Sequence, residues 1–484
     1  MKKILKIIAA ACILYTFTAC NFLDVHPDDR LLREQVLGDR NAMHNVLNGV
    51  YMGMMNNNLY GAALTQTTVE VMAQRFDVRN HSEASNWRML QSYNFEQTNI
   101  ENMFGALWTV MFQQILQVNY FMDLMNHTTV NFPEHQRGML MGEAYGLRAM
   151  FHFDLLRLFG PVPELANDQD SVMPYNNLVG TARLLPLLPA NQILDSILAD
   201  LETAAMHLEN DYIRTQGIVR TLTIDPIANF FTNRHHRMNY FAVRALQARV
   251  LLWAGRPAEA AAHARMVLEA PLVQSGNLFA WVDRGVATRL PDPDRIFSSE
   301  VIFGVRNRDM YVNFRQWFLG TLHQNTLLNP NSSRLEEVFN EPGDLRFTAS
   351  HTWLIPPDRA YRTSFRFSEP QGNQDTTFGY FQPLIRISEM HLIIAEAEGN
   401  PDYLQNVRDA RELWTHINPA NLMEEIEREY AREFWGEGQL FFFYKRRNIG
   451  AIPNANTDAE NGRNRIMFPE NYRVPLPRGE QDRR

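Results

Sequence analysis

Cysteine is nearly missing from this 484-residue chain, which has two, Cys12 and Cys20. Both lie close to the start, so the body has no disulfide framework, thiolate catalyst or cysteine metal site. Long apolar runs are also scarce. The stretch Ile7 to Phe17 falls short of the roughly 20 apolar residues that span a bilayer, and no later segment reaches that length. There is no Gly-x-Ser-x-Gly elbow, no phosphate-binding glycine loop and no His-Glu-x-x-His zinc motif, which argues against the commonest hydrolase and nucleotide chemistries. A basic excess is lacking too. The formal charge is −8, which argues against nucleic acid as a partner. Apolar and charged fractions of 45% and 21% suit a folded body of one large core or two fused ones.

The amino terminus reads as a processing segment. Lys2, Lys3 and Lys6 form a basic n-region, an apolar stretch follows, and Thr18-Ala19 supply small residues before Cys20. Small residues before a cysteine resemble a lipobox, which implies cleavage ahead of Cys20 and lipid attachment to its sulfur. Phe17 stands where an aliphatic residue is usual. Removing 1–19 as a signal peptide takes three lysines and moves the charge from −8 to −11. Acyl chains would then supply the membrane affinity. Residues 20–37 read as the lipidated tether: Asp24, Asp28, Asp29 and Pro27 suit an extended leash, and Phe22, Leu23 and Val25 suit docking.

Residues 38–270 carry helical spacing. Leu107, Val110, Met111, Ile115, Val118 and Phe121 make one stripe, and Ala144, Leu147, Phe151, Leu155 and Leu158 another that ends at Gly160-Pro161. Ile193, Ile197, Leu201, Ala204 and Leu208 define a third helix. Over 238–254, Phe241, Ala245, Ala248 and Leu252 share a face; Gly255 breaks it, Pro257 opens the next helix, and Ala260, Ala264 and Leu268 continue the small-residue pattern. A glycine turn between alanine-faced helices is how a tetratricopeptide hairpin is written, although no strict 34-residue period is present. A docking scaffold and an ordinary helical core both fit this pattern.

Residues 271–484 form the rest of the same domain, first rich in loops and then helical again. Short strand-like runs occur at Glu300 to Val305 and Ser364 to Phe367. Helical pattern returns over Leu384 to Glu398, Leu422 to Phe434 and Leu440 to Arg447. The mostly α class with a loop-rich insertion of short strands rests on this alternation.

Four stretches, taken in order, bring a family to view: Phe22-Leu23-Asp24-Val25 behind the cysteine, Leu147-Arg148-Ala149 through Gly160-Pro161-Val162-Pro163, Arg386-Ile387-Ser388-Glu389 through Ala397, and Glu427 through Gln439. Together they resemble the SusD/RagB nutrient-binding lipoproteins. The resemblance implies a SusD-like fold with tetratricopeptide-like helix pairs, a place at the outer membrane facing the cell exterior, and no catalysis or cofactor. It also implies a SusC-like TonB-dependent transporter as partner and oligosaccharides, or in some members peptides, as ligand. The wording at Gln439 to Arg447 departs from the family's usual one.

A sugar site needs flat apolar surface for a pyranose face and coplanar amides or charges for its hydroxyls. Trp281, Tyr311, Asn313, Phe314, Gln316, Trp317 and Trp353 in the loop-rich part are candidates, facing Trp87 with Asn86 and Arg88. Core packing is the alternative for any one aromatic. Arg308 and Arg315 are candidates for matching the charge of a peptide. Asp292 and Asp294 around Pro293 fit turn residues better than glycosidase carboxylates. His235-His236 fits a surface pair better than a metal site. The Glu427, Glu429, Glu433 and Glu437 series with Arg428 and Arg432 reads as ion pairs on a helix surface. A surface hydrolase and a purely adhesive lipoprotein are the rival functions.

Overall fold

A computed structural model describes residues 28–180, 184–223, 226–372, 378–458 and 464–483. The expected signal peptide, Cys20 and the expected tether up to residue 27 lie outside them. From Asp28 the chain is helical rather than an extended leash: α1 (Asp28–Gly38) lies against α2 (Arg40–Met54). Arg33 pairs with Asp123 at 2.7 Å and the Leu37 carbonyl accepts from Thr129 N, so the second half of the expected tether belongs to the body.

Short α3 (Asn86–Gln91) leads into a helical stack of α4 (Thr98–His127), α5 (Glu134–Phe159), α6 (Ala190–His207), α7 (Tyr240–Trp253) and α8 (Pro257–Leu268). Each packs on the next in chain order, which is the expected arrangement of helix pairs. Caps fix the starts: the Asp39 carboxylate accepts from Asn41 N at 2.8 Å, and the Asn239 side chain accepts from Ala242 N at 3.0 Å. Gly255, at φ +70°, turns α7 into α8.

A glycine stripe brings α5 close to its neighbours. A Cβ on Gly138 would sit 2.7 Å from the His207 carbonyl oxygen, and one on Gly142 2.5 Å from Leu208 Cγ. One on Gly146 would sit 2.6 Å from Met238 Cγ. Residues four apart share a helix face, so the three glycines clear one groove for α6 and the chain entering α7.

The second part starts with an antiparallel strand pair, β1 (Val301–Arg306) and β2 (Phe381–Arg386), in the register Arg306 with Phe381 and Val301 with Arg386. Between them lies α9 (Met310–Trp317). Helices α10 (Ile387–Glu398), α11 (Pro401–Asp409), α12 (Leu422–Glu433) and α13 (Leu440–Arg446) follow, and α10 packs on α8 so that one apolar core runs from Met43 to Val474. The sequence places Leu384 to Arg386 in a helix, whereas they form strand. Pairing of Ile385 with Phe303 overrides the local helical pattern. The strand expected over Ser364 to Phe367 is shorter and earlier, Thr363–Ser364 against Trp353–Leu354.

The carboxylates expected on a helix surface are buried instead. Glu429, Glu433 and Glu437 are 0–2% exposed. With Glu300 and Asp344 they face the guanidiniums of Arg346, Arg366, Arg386, Arg411 and Arg432. Arg386 reaches Glu437 at 2.9 Å, Arg411 reaches Glu300 at 2.6 Å, and Arg346 reaches Asp344 at 2.7 Å and Glu433 at 2.8 Å. Burial opposes the ionisation of Glu433, but Arg386 and Arg411 outweigh it and hold the carboxyl well below its ordinary value. Equal numbers of opposite charges meet here in planar, multidentate geometry, and that is what makes their burial tolerable.

Candidate functional site

At the end of α9 and the start of α3 two tryptophans meet. The Trp87 and Trp317 rings stand edge to face, 6.5 Å apart at 89°, and both are half-buried. The Ser85 hydroxyl accepts from Trp87 N at 3.2 Å and starts α3, while the Trp317 carbonyl accepts from Leu328 N at 2.8 Å. That second bond ties the pair to the segment walling an adjacent cleft, since the Asn329 carbonyl accepts from Asp77 N at 2.8 Å.

The cleft holds about 370 Å³ and is lined by Asp77, Arg79, Asn80, Gln324, Tyr361 and Asp458 among others. Its polar groups are held in place by one another. Arg79 clasps the Asp77 carboxylate, with Nη2 at 2.6 Å, and this bond raises the Arg79 pKa. Asn331 donates to Asp458 at 2.9 Å, and Asn80 donates to Gln324 at 3.4 Å. His81 lies beneath them, its pKa lowered by burial, and donates from Nε2 to the Leu327 carbonyl at 3.1 Å. Amides, a clasped carboxylate and a phenol beside half-exposed aromatic rings make a surface suited to hydroxyls above an apolar ring face.

Of the residues singled out from sequence, this geometry unites Trp87 and Trp317. Arg88 stands beside them and donates to the His81 carbonyl at 3.3 Å. Trp353 is 1% exposed and stands edge-on to Trp435 at 4.8 Å. Asn313 is fully buried, donating to the Gly61 carbonyl and to Asn57. Tyr311 is 5% exposed, and its hydroxyl accepts from Tyr380 N at 3.0 Å. Exposing any of these three would mean unpacking core, so they are corrected to packing residues. Phe314 is buried with them, and Gln316 is exposed. Trp281 packs elsewhere, on His391 and beside Arg411. Arg315 pairs with Glu369 at 2.8 Å, and Arg308 is exposed on another groove.

The remaining candidates resolve as follows. Asp294 is buried and accepts from Ile296 N, Ser298 N and the Ser298 hydroxyl; Asp292 accepts from Gln371 N and Gly372 N. Both are turn residues. His235 is buried rather than on the surface, edge-on to Phe381, and burial lowers its pKa to about 2. No cluster of metal-ligating side chains occurs among the described residues. Among them also, no helix is long and apolar enough to cross a membrane. Asp77, Arg79, Gln324, Tyr361 and Asp458 went unread in the sequence because isolated polar loop residues carry no period or spacing.

Known proteins fit this architecture. Residues 21–220 match the SusD-like family model described as "Starch-binding associating with outer membrane". SusD-like protein P2 of Formosa agariphila is 23% identical over 192 residues, which is 40% of this chain and 36% of that protein, so the match spans little more than a third of that relative. Among solved structures, a putative sugar binding protein from Bacteroides vulgatus superposes with a TM-score of 0.67 at 17% identity, over 92% of this chain and 96% of that one. A SusD superfamily protein from the same species gives 0.64 at 20% identity, over 90% and 95%. A laminarin binding SusD-like protein gives 0.61 at 18%, over 92% and 97%. With a mostly helical body that follows the SusD superfamily structures over nearly its whole length, this chain has the SusD-like fold, and its residues 21–220 match the SusD-like family.

Proposed function

We propose that this protein is a surface lipoprotein that captures oligosaccharides without cutting them and hands them to a SusC-like TonB-dependent transporter in the outer membrane. The observation that carries the reading is the Trp87–Trp317 pair beside a cleft of hydrogen-bonded amide and carboxylate groups that Tyr361 also lines. Such a surface matches a pyranose on both its apolar and its polar sides. The starch-binding description of the matched family and the laminarin-binding neighbour support a glycan over a peptide. Calorimetry against a panel of soluble glycans and oligopeptides tests it. Binding of at least one glycan, lost in Trp87→Ala, is expected; binding of peptides alone, or release of shortened products from a polymer, overturns it.

The anchor and the partner belong to the same reading. Lipid on Cys20 holds the body at the membrane, so Cys20→Ser is expected in the soluble fraction of a cell lysate, and persistent membrane association contradicts it. A large barrel protein is expected to co-purify after mild detergent extraction.

A further inference from the structure

A second, narrower recess lies on the other side of Pro330, which also borders the cleft. It holds about 200 Å³. Pockets for whole drug-sized ligands run to ~300–1,000 Å³, so this one suits a single small group. Its walls are apolar, with Leu335, Val338, Trp435, Leu440 and Pro453.

The charges along this wall are matched, with one exception. Arg75 pairs with Glu70 at 3.1 Å, Arg334 with Glu337 at 2.8 Å, and Arg428 with Glu425 at 2.7 Å. Glu427, half-buried on the same wall, has neither an ion pair nor a hydrogen bond for its carboxylate among the described residues. The Tyr444 hydroxyl, on a residue 3% exposed, is likewise without a partner. Burial, and then the neighbouring Glu424, push the Glu427 carboxyl up, and the nearby Arg428 and Arg447, which form no ion pair with it, oppose the shift without cancelling it. A half-buried unpaired carboxylate costs free energy that a bound cation would recover. A metal ion needs several oxygen ligands, and the recess offers one uncommitted carboxylate. A neutral hydroxyl would leave the charge unmatched.

We propose that this recess is a binding site for a protonated amine on a compact, partly apolar body. Glu427 accepts from the ammonium, the Tyr444 hydroxyl adds a hydrogen bond, and Leu335, Leu440 and Trp435 enclose the carbon skeleton. An amino sugar and the first residue of a peptide share this chemistry. The site is independent of the Trp87–Trp317 cleft, and the test keeps the two apart.

Calorimetry on the full-length protein compares D-glucosamine with N-acetyl-D-glucosamine and leucinamide with N-acetyl-leucinamide. In at least one pair the free amine is expected to bind tenfold or more tightly than its acetylated partner, and that pair names the source. Glu427→Gln, which removes charge and keeps shape, is expected to lose at least tenfold for the same amine with an unchanged melting temperature. Trp87→Ala is expected to bind it as the unaltered protein does. Equal affinity within both pairs, full affinity in Glu427→Gln, or no binding of either amine at millimolar concentration overturns the proposal.

Discussion

The helical stack and the region around α12 differ in what dominates their contacts. In the helical stack, α5 meets α6 through glycines that remove side-chain bulk at the contact, so apolar surfaces approach until backbone touches side chain. Around α12 the contact is made of charge. Arginines and carboxylates from residues 300, 344–346, 366, 386, 411 and 429–437 meet with almost no exposure. Helices in sequence order supply their own neighbours, and there the shape fit is joined by a few buried pairs, such as Arg148 with Asp200 at 2.7 Å, rather than replaced by a lattice of charge. A loop-rich part must gather segments far apart in the chain, and multidentate ion pairs favour one arrangement over its competitors, because any misplaced partner leaves a buried charge alone.

This contrast can be broken at either end. The largest effect is expected from removing one partner of the lattice. Glu433→Ala leaves Arg386 and Arg411 short of a partner and should cost about 3–5 kcal/mol in denaturant unfolding; a loss under about 1 kcal/mol would show that the lattice is not a keystone. Next comes the glycine contact. Gly138→Ala puts a methyl against the His207 carbonyl and should cost about 1–3 kcal/mol by the same measurement. If it stabilises the protein through helix propensity, the close approach is not required.

Acid should act on both ends with the same sign. The Glu433 carboxyl is held well below its ordinary value of 4.5 in the folded protein, so its contribution is complete above about pH 4.5 and is lost as pH falls toward the folded value. Glu143 behaves likewise in the helical part: burial resists its ionisation, but Arg234 and Arg237 prevail. Unfolding free energy should therefore fall on acidification below about pH 4.5. Conservative Glu143→Gln and Glu433→Gln variants should each show a shallower fall, Glu433→Gln the more so. Equal slopes in all three proteins would contradict the assignment.

The smallest change in stability belongs to the binding surface. A double-mutant cycle on Trp87→Ala and Trp317→Ala should give about 0.5–1.5 kcal/mol of coupling for the ring pair. Each single variant is expected to lose tenfold or more in affinity for the captured glycan, and a variant that keeps full affinity would move the site elsewhere.

Much of this molecule was written locally. The stripes at Leu107 to Phe121 and Ile193 to Leu208, the break at Gly255 and Pro257, and the stops at Gly160-Pro161 need neighbours three or four residues away, and the helices form where those patterns lie. The loop-rich character of residues 271–382 was equally plain. Which face of a helix turns inward was less so. Glu429, Glu433 and Glu437 look like a solvated edge until Arg346, Arg386 and Arg411 arrive from tens of residues away to neutralise them. The site follows the same division. Aromatic residues of the loops could be named from composition, but choosing Trp87 and Trp317 over Trp353 and Tyr311 required the long-range fold, since burial depends on everything packed around a ring. Local pattern was enough for most of the helices and for their order, Leu384 to Arg386 aside. Which charges were matched, which rings stayed at the surface, and why Glu427 was left without an ion pair followed only from the packing, because each of these depends on contacts between segments with no local period to announce them.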